Sequence, residues 1–312
     1  MELSNKAAKS ASRIGKAIVT GGAGFIGSNI ANFLASCGVE TVALDNLSFG
    51  VRSNLSKDVS FVKKDLNELE ASDLAGVDVV FNQAAVSSVT RCMAEPQETV
   101  NTNVGAFSNL VKCARENGTR IVYASTSSVY NGVAPPHRED ARLSFKTIYE
   151  ITKFADESVA RYFNNSVGLR YFSVYGPNER HKAGTANLVT QFLWDAKAGR
   201  GPVIYGDGSQ KRDFVHVDDV VEANVLAATS DLSKFPERVF NVGTGVAVDL
   251  KELVGMVNEI AGTDIAAKHI ENPLGANYVD CVQADTSLAS KRLGFDYSIG
   301  LEQGIRRISQ VY

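Results

Sequence analysis

The chain has 312 residues, 44% of them apolar and 21% charged, which is enough to bury a large core. Its formal charge of −3 is spread without long runs of one sign, so nothing in it marks a nucleic-acid or anionic-membrane binder. Cys37, Cys92, Cys113 and Cys281 lie far apart with no C-x-x-C pair, which indicates neither a zinc site nor a disulfide framework; free buried thiols in a reducing cytoplasm are expected, and no metal.

Residues 1–15 lack the apolar stretch of a signal peptide and read as a polar extension before the first strand. No run of about 18 apolar residues follows that could span a membrane. From Lys16 onward, short apolar runs ("KAIVTGG", "ETVALD", "VSFVKKD", "VDVVFNQAA", "RIVYAST") alternate with helical patterns. That alternation predicts βαβ units, a doubly wound parallel sheet and an α/β fold. Residues 16–170 are expected to form a dinucleotide-binding domain. Past residue 170, Gly and Pro break the pattern at "YGPNER", "AGRGPVIYGDGSQ" and "NVGTG", so 171–312 reads as a smaller, loop-rich substrate region with parts returning to the sheet. Helices are expected over 151–163, 187–198 and 218–230, the last following "HVDD".

Gly21, Gly24 and Gly27 fall between a strand and an amphipathic helix in "AIVTGGAGFIGSNIANFLASCG". This spacing suits a tight turn, close approach of backbone to a pyrophosphate and close helix packing, with the helix N-terminus facing the phosphates. Asp45 ends the next strand, 18 residues after Gly27. A carboxylate there accepts hydrogen bonds from a ribose 2′-OH and repels a 2′-phosphate, which points to NAD rather than NADP.

Further on, "ASTSSVYN" places four hydroxyls at a strand end, and "YEITK" places Tyr149 and Lys153 four residues apart. On a helix the two share a face, so the ammonium favours the phenolate. General-base work near neutral pH requires the phenol to fall below its usual value near 10, and Lys153 together with an oxidised nicotinamide ring would lower it. A strand-end hydroxyl could then hold the same substrate oxygen.

With "TGGAGFIGS" and "YEITK", the segments "DNLS" at 45–48, "KDL" at 64–66, "NQAAVSSVTR" at 82–91, "LRYFSVYGP" at 169–177, "GDGSQKRDFVHVDD" at 206–219 and "FNVGTG" at 240–245 make the chain resemble an extended short-chain dehydrogenase/reductase of the NAD-dependent nucleotide-sugar epimerase/dehydratase family. The resemblance implies cofactor contacts from Gly21, Gly24, Phe25, Ile26, Gly27, Asp45 and Asn46. It adds Asp65 and Leu66 beside the adenine, Ala84 and Ala85 lining the cleft, and Asn103 supporting the nicotinamide side. Thr126 takes the catalytic Ser/Thr position, Tyr149 the base, and Lys153 its partner and a ribose ligand. Substrate contacts are implied for Ser88, Thr126, Ser127, Ser128 and Ser173, and for Asn187 and Leu188 at the diphosphate and nucleobase. Arg212 takes the place of a phosphate-binding arginine, and His216 a packing position. Tyr205 stacks near the base or is a core aromatic. A homodimer built from two helices of each subunit is also implied. The chain departs from the family pattern at Asn82, Asn131, Ser173 and Leu274; the last removes a phosphate-binding arginine, for which Arg180, His181 or Lys182 are candidate replacements.

The chemistry expected is C4 epimerisation of a UDP-sugar or another nucleoside-diphosphate sugar through a 4-keto intermediate. A 4,6-dehydratase or a decarboxylase sharing the first oxidation is the alternative, and an idle NAD-binding regulatory protein a more distant one. Dehydratases of the family resemble one another in carrying Asp and Glu directly after the catalytic Thr, where this chain has Ser127 and Ser128. Should elimination occur, Glu150 is the first candidate carboxylate.

Overall fold

The alternating pattern condenses into a parallel sheet with helices on both faces. The computed structural model describes residues 5–272 and 279–312. Seven strands form the main sheet in the order β3-β2-β1-β4-β5-β6-β10: β1 (Lys16–Thr20), β2 (Glu40–Asp45), β3 (Ser60–Lys63), β4 (Val79–Asn82), β5 (Arg120–Thr126), β6 (Ser166–Tyr171) and β10 (Val239–Val242). Every neighbouring pair in it is parallel. The strand order reverses between β1 and β4, and in open parallel sheets that crevice is where ligands bind. A second sheet joins β7 (Ser173–Tyr175), β9 (Lys211–His216) and β11 (Ala247–Asp249), and a third pairs β8 (Val203–Tyr205) with β12 (Lys268–Ile270).

The helices are α1 (Asn5–Ala11), α2 (Phe25–Ser36), α3 (Val89–Ala94), α4 (Pro96–Val100), α5 (Ala106–Asn117), α6 (Ile148–Ala160), α7 (Leu188–Lys197), α8 (Val217–Thr229), α9 (Leu250–Ala261), α10 (Ser287–Leu293) and α11 (Leu301–Ser309). Among the described residues none is long and apolar enough to cross a membrane. Leu110, Val80, Ile121 and Leu74 belong to one core beneath the sheet, while α2, α8 and the strands share another through Ile30, Leu34, Val221 and Phe240. Helix α8 packs against α1, α2, α10 and the strands β5 and β6 at once, so nearly its whole length is buried. A third core around Phe192, Leu193, Leu253 and Ile305 holds α7, α9 and α11 together.

Two sequence expectations shift here. The polar N-terminal stretch forms helix α1, which turns Ala7 and Ala11 inward against α8. Helix α6 begins at Ile148 rather than 151, because Thr147 caps it and Glu150 reaches back to the Thr147 backbone in a reciprocal capping box. Of the four cysteines, all free, only Cys92 and Cys113 are buried.

Candidate active site

The crevice between β1 and β4 is lined by backbone that tolerates no side chain. Gly21 adopts φ +62°, and a Cβ there would sit 2.7 Å from the Ala84 nitrogen; one on Gly27 would sit 2.2 Å from the Gly21 carbonyl oxygen. Helix α2 starts at Gly24 with no side-chain cap, which leaves the first-turn N–H groups of Phe25, Ile26 and Gly27 available to an anion at the positive end of the helix.

Asp45 closes the loop from the other side. Its Oδ2 accepts the Ala23 N–H at 3.0 Å and its Oδ1 the Leu47 N–H at 2.7 Å, which fixes the carboxylate at the end of β2. Asn46 donates to Asp65 Oδ2 at 2.7 Å, and Leu66 is buried beside it, so the predicted adenine-side residues share one rim. Ala84 and Ala85 follow β4. Asn103 sits on a π-helical turn over Asn101–Gly105 and takes the Val86 N–H at 2.8 Å, while its amide donates to the Val86 carbonyl and to Thr152 Oγ1, both at 3.1 Å. It thereby ties the loop after β4 to α6. These features fit NAD: an uncapped helix start for the pyrophosphate, a pinned carboxylate for the ribose and a glycine floor that a Cβ would fill.

Thr126 ends β5 and its Oγ1 accepts the Ser128 N–H at 3.1 Å. Tyr149 stands in the first turn of α6 and Lys153 one turn on. Burial pushes the Tyr149 phenol above its ordinary value, while the Lys153 charge and the Thr126 hydroxyl beside it pull the other way. The sequence reading asks for Lys153 and an oxidised nicotinamide together to lower this phenol; with Lys153 alone, desolvation outweighs the ammonium. Lys153 Nζ is 2.6 Å from Asp156 Oδ2, with both side chains buried, a pairing that sequence reasoning missed although the i,i+3 spacing carries it.

The hydroxyl run divides its work. Ser125 donates to Glu157 on α6 at 2.6 Å and is structural. Ser127 and Ser128, half-buried, direct no side-chain hydrogen bond to another described residue. Glu150 is occupied: Asn131 and the Lys146 and Thr147 N–H groups donate to its carboxylate at 3.2, 2.7 and 3.2 Å.

On the substrate side, Ser88 caps α3 and Ser173 opens β7. Asn187 caps α7, its Oδ1 accepting the Val189 N–H at 3.0 Å, so its carbonyl oxygen serves the helix and its amide N–H groups remain for a ligand. Leu188 begins that helix, and Tyr205 and Arg212 are half-buried on β8 and β9. His216 packs as expected: it caps α8, lies edge-on to Tyr175, and burial pushes it down to about 3. Leu274 lies outside the described residues. Of its candidate replacements, Arg180 donates to the Val311 carbonyl, His181 faces Asn54, and Lys182 pairs with Glu179 and lies 5.0 Å over the Phe25 ring. These contacts direct Lys182 toward the phosphate loop and Arg180 toward the C-terminus. A separate cavity of about 630 Å³ opens between β6, β10 and α10; Arg138, Glu139, Arg161 and Lys291 give its walls both signs of charge, and neither Thr126, Tyr149 nor Lys153 lines it.

A sequence model of the NAD dependent epimerase/dehydratase family matches residues 17–243. A putative UDP-glucose 4-epimerase of Methanocaldococcus jannaschii is 30% identical over 93% of this chain and 96% of its own length. The UDP-N-acetylglucosamine 4-epimerase of Methanobrevibacter ruminantium, solved with UDP-N-acetylmuramic acid, superposes with TM-score 0.88 at 29% identity, covering 95% of this chain and 97% of that one. The Thermus thermophilus UDP-glucose 4-epimerase, solved with NAD, superposes with TM-score 0.82 at 30% identity over 95% of this chain and 98% of that one.

The pinned Asp45 carboxylate leads to a preference that calorimetry on cofactor-stripped protein can read. NAD is expected to bind at least about tenfold more tightly than NADP, since a 2′-phosphate would face a fixed negative charge. Equal affinities would mean that Asp45 does not face the ribose.

Proposed function

Because this chain belongs to the NAD dependent epimerase/dehydratase family, we propose that it inverts C4 of a nucleoside-diphosphate sugar, a UDP-sugar in the first instance. The observation that carries this is the set of groups around the end of β5. Tyr149 is flanked by Lys153 and Thr126, the two positions after Thr126 hold hydroxyls, and the nearby carboxylate of Glu150 is already tied by three N–H donors. Such a site can oxidise and reduce at C4 but lacks the free acid and base needed to remove water from C5 and C6. That is why epimerisation is preferred over 4,6-dehydration.

Thr126 Oγ1 positions the C4 hydroxyl and Tyr149 Oη takes its proton. NAD, when bound, would supply the hydride acceptor for oxidation at C4 and the hydride donor for reduction of the 4-keto sugar. The positive charge of an oxidised nicotinamide beside it would favour the Tyr149 phenolate, and Tyr149 would hold the C4 proton until it is returned. Lys153 orients the ribose and lends Tyr149 positive charge. Asn187, Leu188, Tyr205 and Arg212 grip the nucleoside diphosphate, and Ser88, Ser127, Ser128 and Ser173 face the sugar. The sheet-based cofactor region before residue 170 and the substrate region after it then close on one ligand pair. The setting is cytoplasmic, in keeping with four free thiols.

The protein works as a homodimer through α3, α4 and α6, which pack side by side and expose Val89, Met93, Val100 and Ile151. Sedimentation should read twice the chain mass, and Ile151→Asp should return it to one; a monomeric wild type would remove this assignment.

Tyr149→Phe keeps the ring and deletes the proton acceptor. Turnover of the responsive sugar nucleotide should fall by about 10² or more with NAD still bound, as for loss of a general base. Near-normal turnover would show that the proton goes elsewhere.

A further inference from the structure

Asp156 follows Lys153 by three residues on α6, and the two side chains are 1% and 3% exposed. Its Oδ2 holds Lys153 Nζ at 2.6 Å, while its Oδ1 has no hydrogen-bond partner among the described residues. A buried carboxylate with one oxygen unsatisfied costs stability that an apolar residue of similar size would not. Packing therefore does not account for it, and its one strong contact is with the ammonium that serves Tyr149.

The two claims on Lys153 oppose each other. The ammonium makes the Tyr149 phenol more acidic, and the Asp156 charge makes it less so. The other groups facing this cluster leave Asp156 as the ammonium's bonded partner. On α6, Glu157 is engaged by Arg170 of β6 and Ser125 of β5. From β5, the Tyr123 phenol feels both carboxylates and is held neutral by burial; from α3, the Cys92 thiol faces Tyr149 and is likewise pushed up by burial. The π-helical turn contributes only the neutral Asn103, bonded to Thr152.

We propose that Asp156 is a positioning residue that holds the Lys153 ammonium by one oxygen and thereby sets the acidity of Tyr149. Burial pushes the Asp156 carboxyl up to about 6 against the pull of Lys153. As pH falls through that value Asp156 becomes neutral, the opposing charge disappears, and Tyr149 is left with the ammonium alone. The acidity of the base thus rises as the solution becomes more acid, which extends its useful range downward.

The proposal rests on Tyr149 as the base, yet its test needs no sugar. In NAD-loaded protein, the tyrosinate absorbance of Tyr149 is titrated against Tyr149→Phe as the blank. Asp156→Asn should lower the midpoint by about one pH unit, the effect of removing one charge at this range in a partly shielded interior, and Asp156→Ala should do the same. Asp156→Glu, which keeps the charge, should leave it in place. An unmoved midpoint in whichever of the Asn and Ala proteins retains NAD, or an equal shift in the Glu protein, would overturn the proposal. A midpoint that falls as expected in a protein that leaves every sugar nucleotide unchanged would sustain it while removing the epimerase assignment.

Discussion

The Glu157 carboxylate accepts the Ser125 hydroxyl at 2.6 Å and two Arg170 N–H groups at 2.8 and 2.7 Å, with all three residues buried. Glu157 lies on the helix that carries Tyr149 and Lys153, two turns beyond the first and one beyond the second; Ser125 immediately precedes Thr126; Arg170 belongs to the next strand of the sheet. A single carboxylate therefore sets the height of the helix against the strand end, and with it the approach of Tyr149 to Thr126. Arg170 extends the node by donating to Tyr130 Oη at 2.7 Å, and Tyr130 donates to Asn241 on the edge strand at 2.7 Å. Buried ion pairs contribute little net stability over apolar packing, and this one serves geometry: an unpaired Glu157 or Arg170 would be so unfavourable that the register cannot slip.

From that fixed geometry the chemistry follows with few parts. The crevice at the strand reversal supplies anion-binding N–H groups, a pinned carboxylate and a floor closed to side chains. The base is then half-buried against the same crevice, where its phenol stays protonated until positive charge arrives beside it. Coupling the base to the cofactor's charge is useful for a reaction that borrows a proton and a hydride and returns both.

Local order was legible in the residues because it depends on short spacings. The glycine loop with Asp45, and the Tyr149–Lys153 pair, need only a strand, a turn and a helix to come together. The start of α6 was legible too, since Thr147 and Glu150 form a capping-box signature that the apolar pattern from 151 obscured. Helix α1 hid behind its polar composition, although Ala7 and Ala11 fall on one helical face. What could not be read were the long-range choices: which of four hydroxyls would turn to Glu157, that Glu150 would be spent on Asn131, and that burial would outweigh Lys153 at Tyr149. Each depends on desolvation and on partners brought by other strands.

The central claim is that one hydrogen leaves C4 and returns to C4 with nothing else lost. Nucleotide sugars deuterated at C4, incubated with the protein in ordinary water and followed by NMR and mass spectrometry, test it most directly. The product should keep its mass, carry the deuterium at C4 and show that centre inverted. Deuterium lost to solvent or moved to C6, or a product lighter by water or CO₂, would contradict the account.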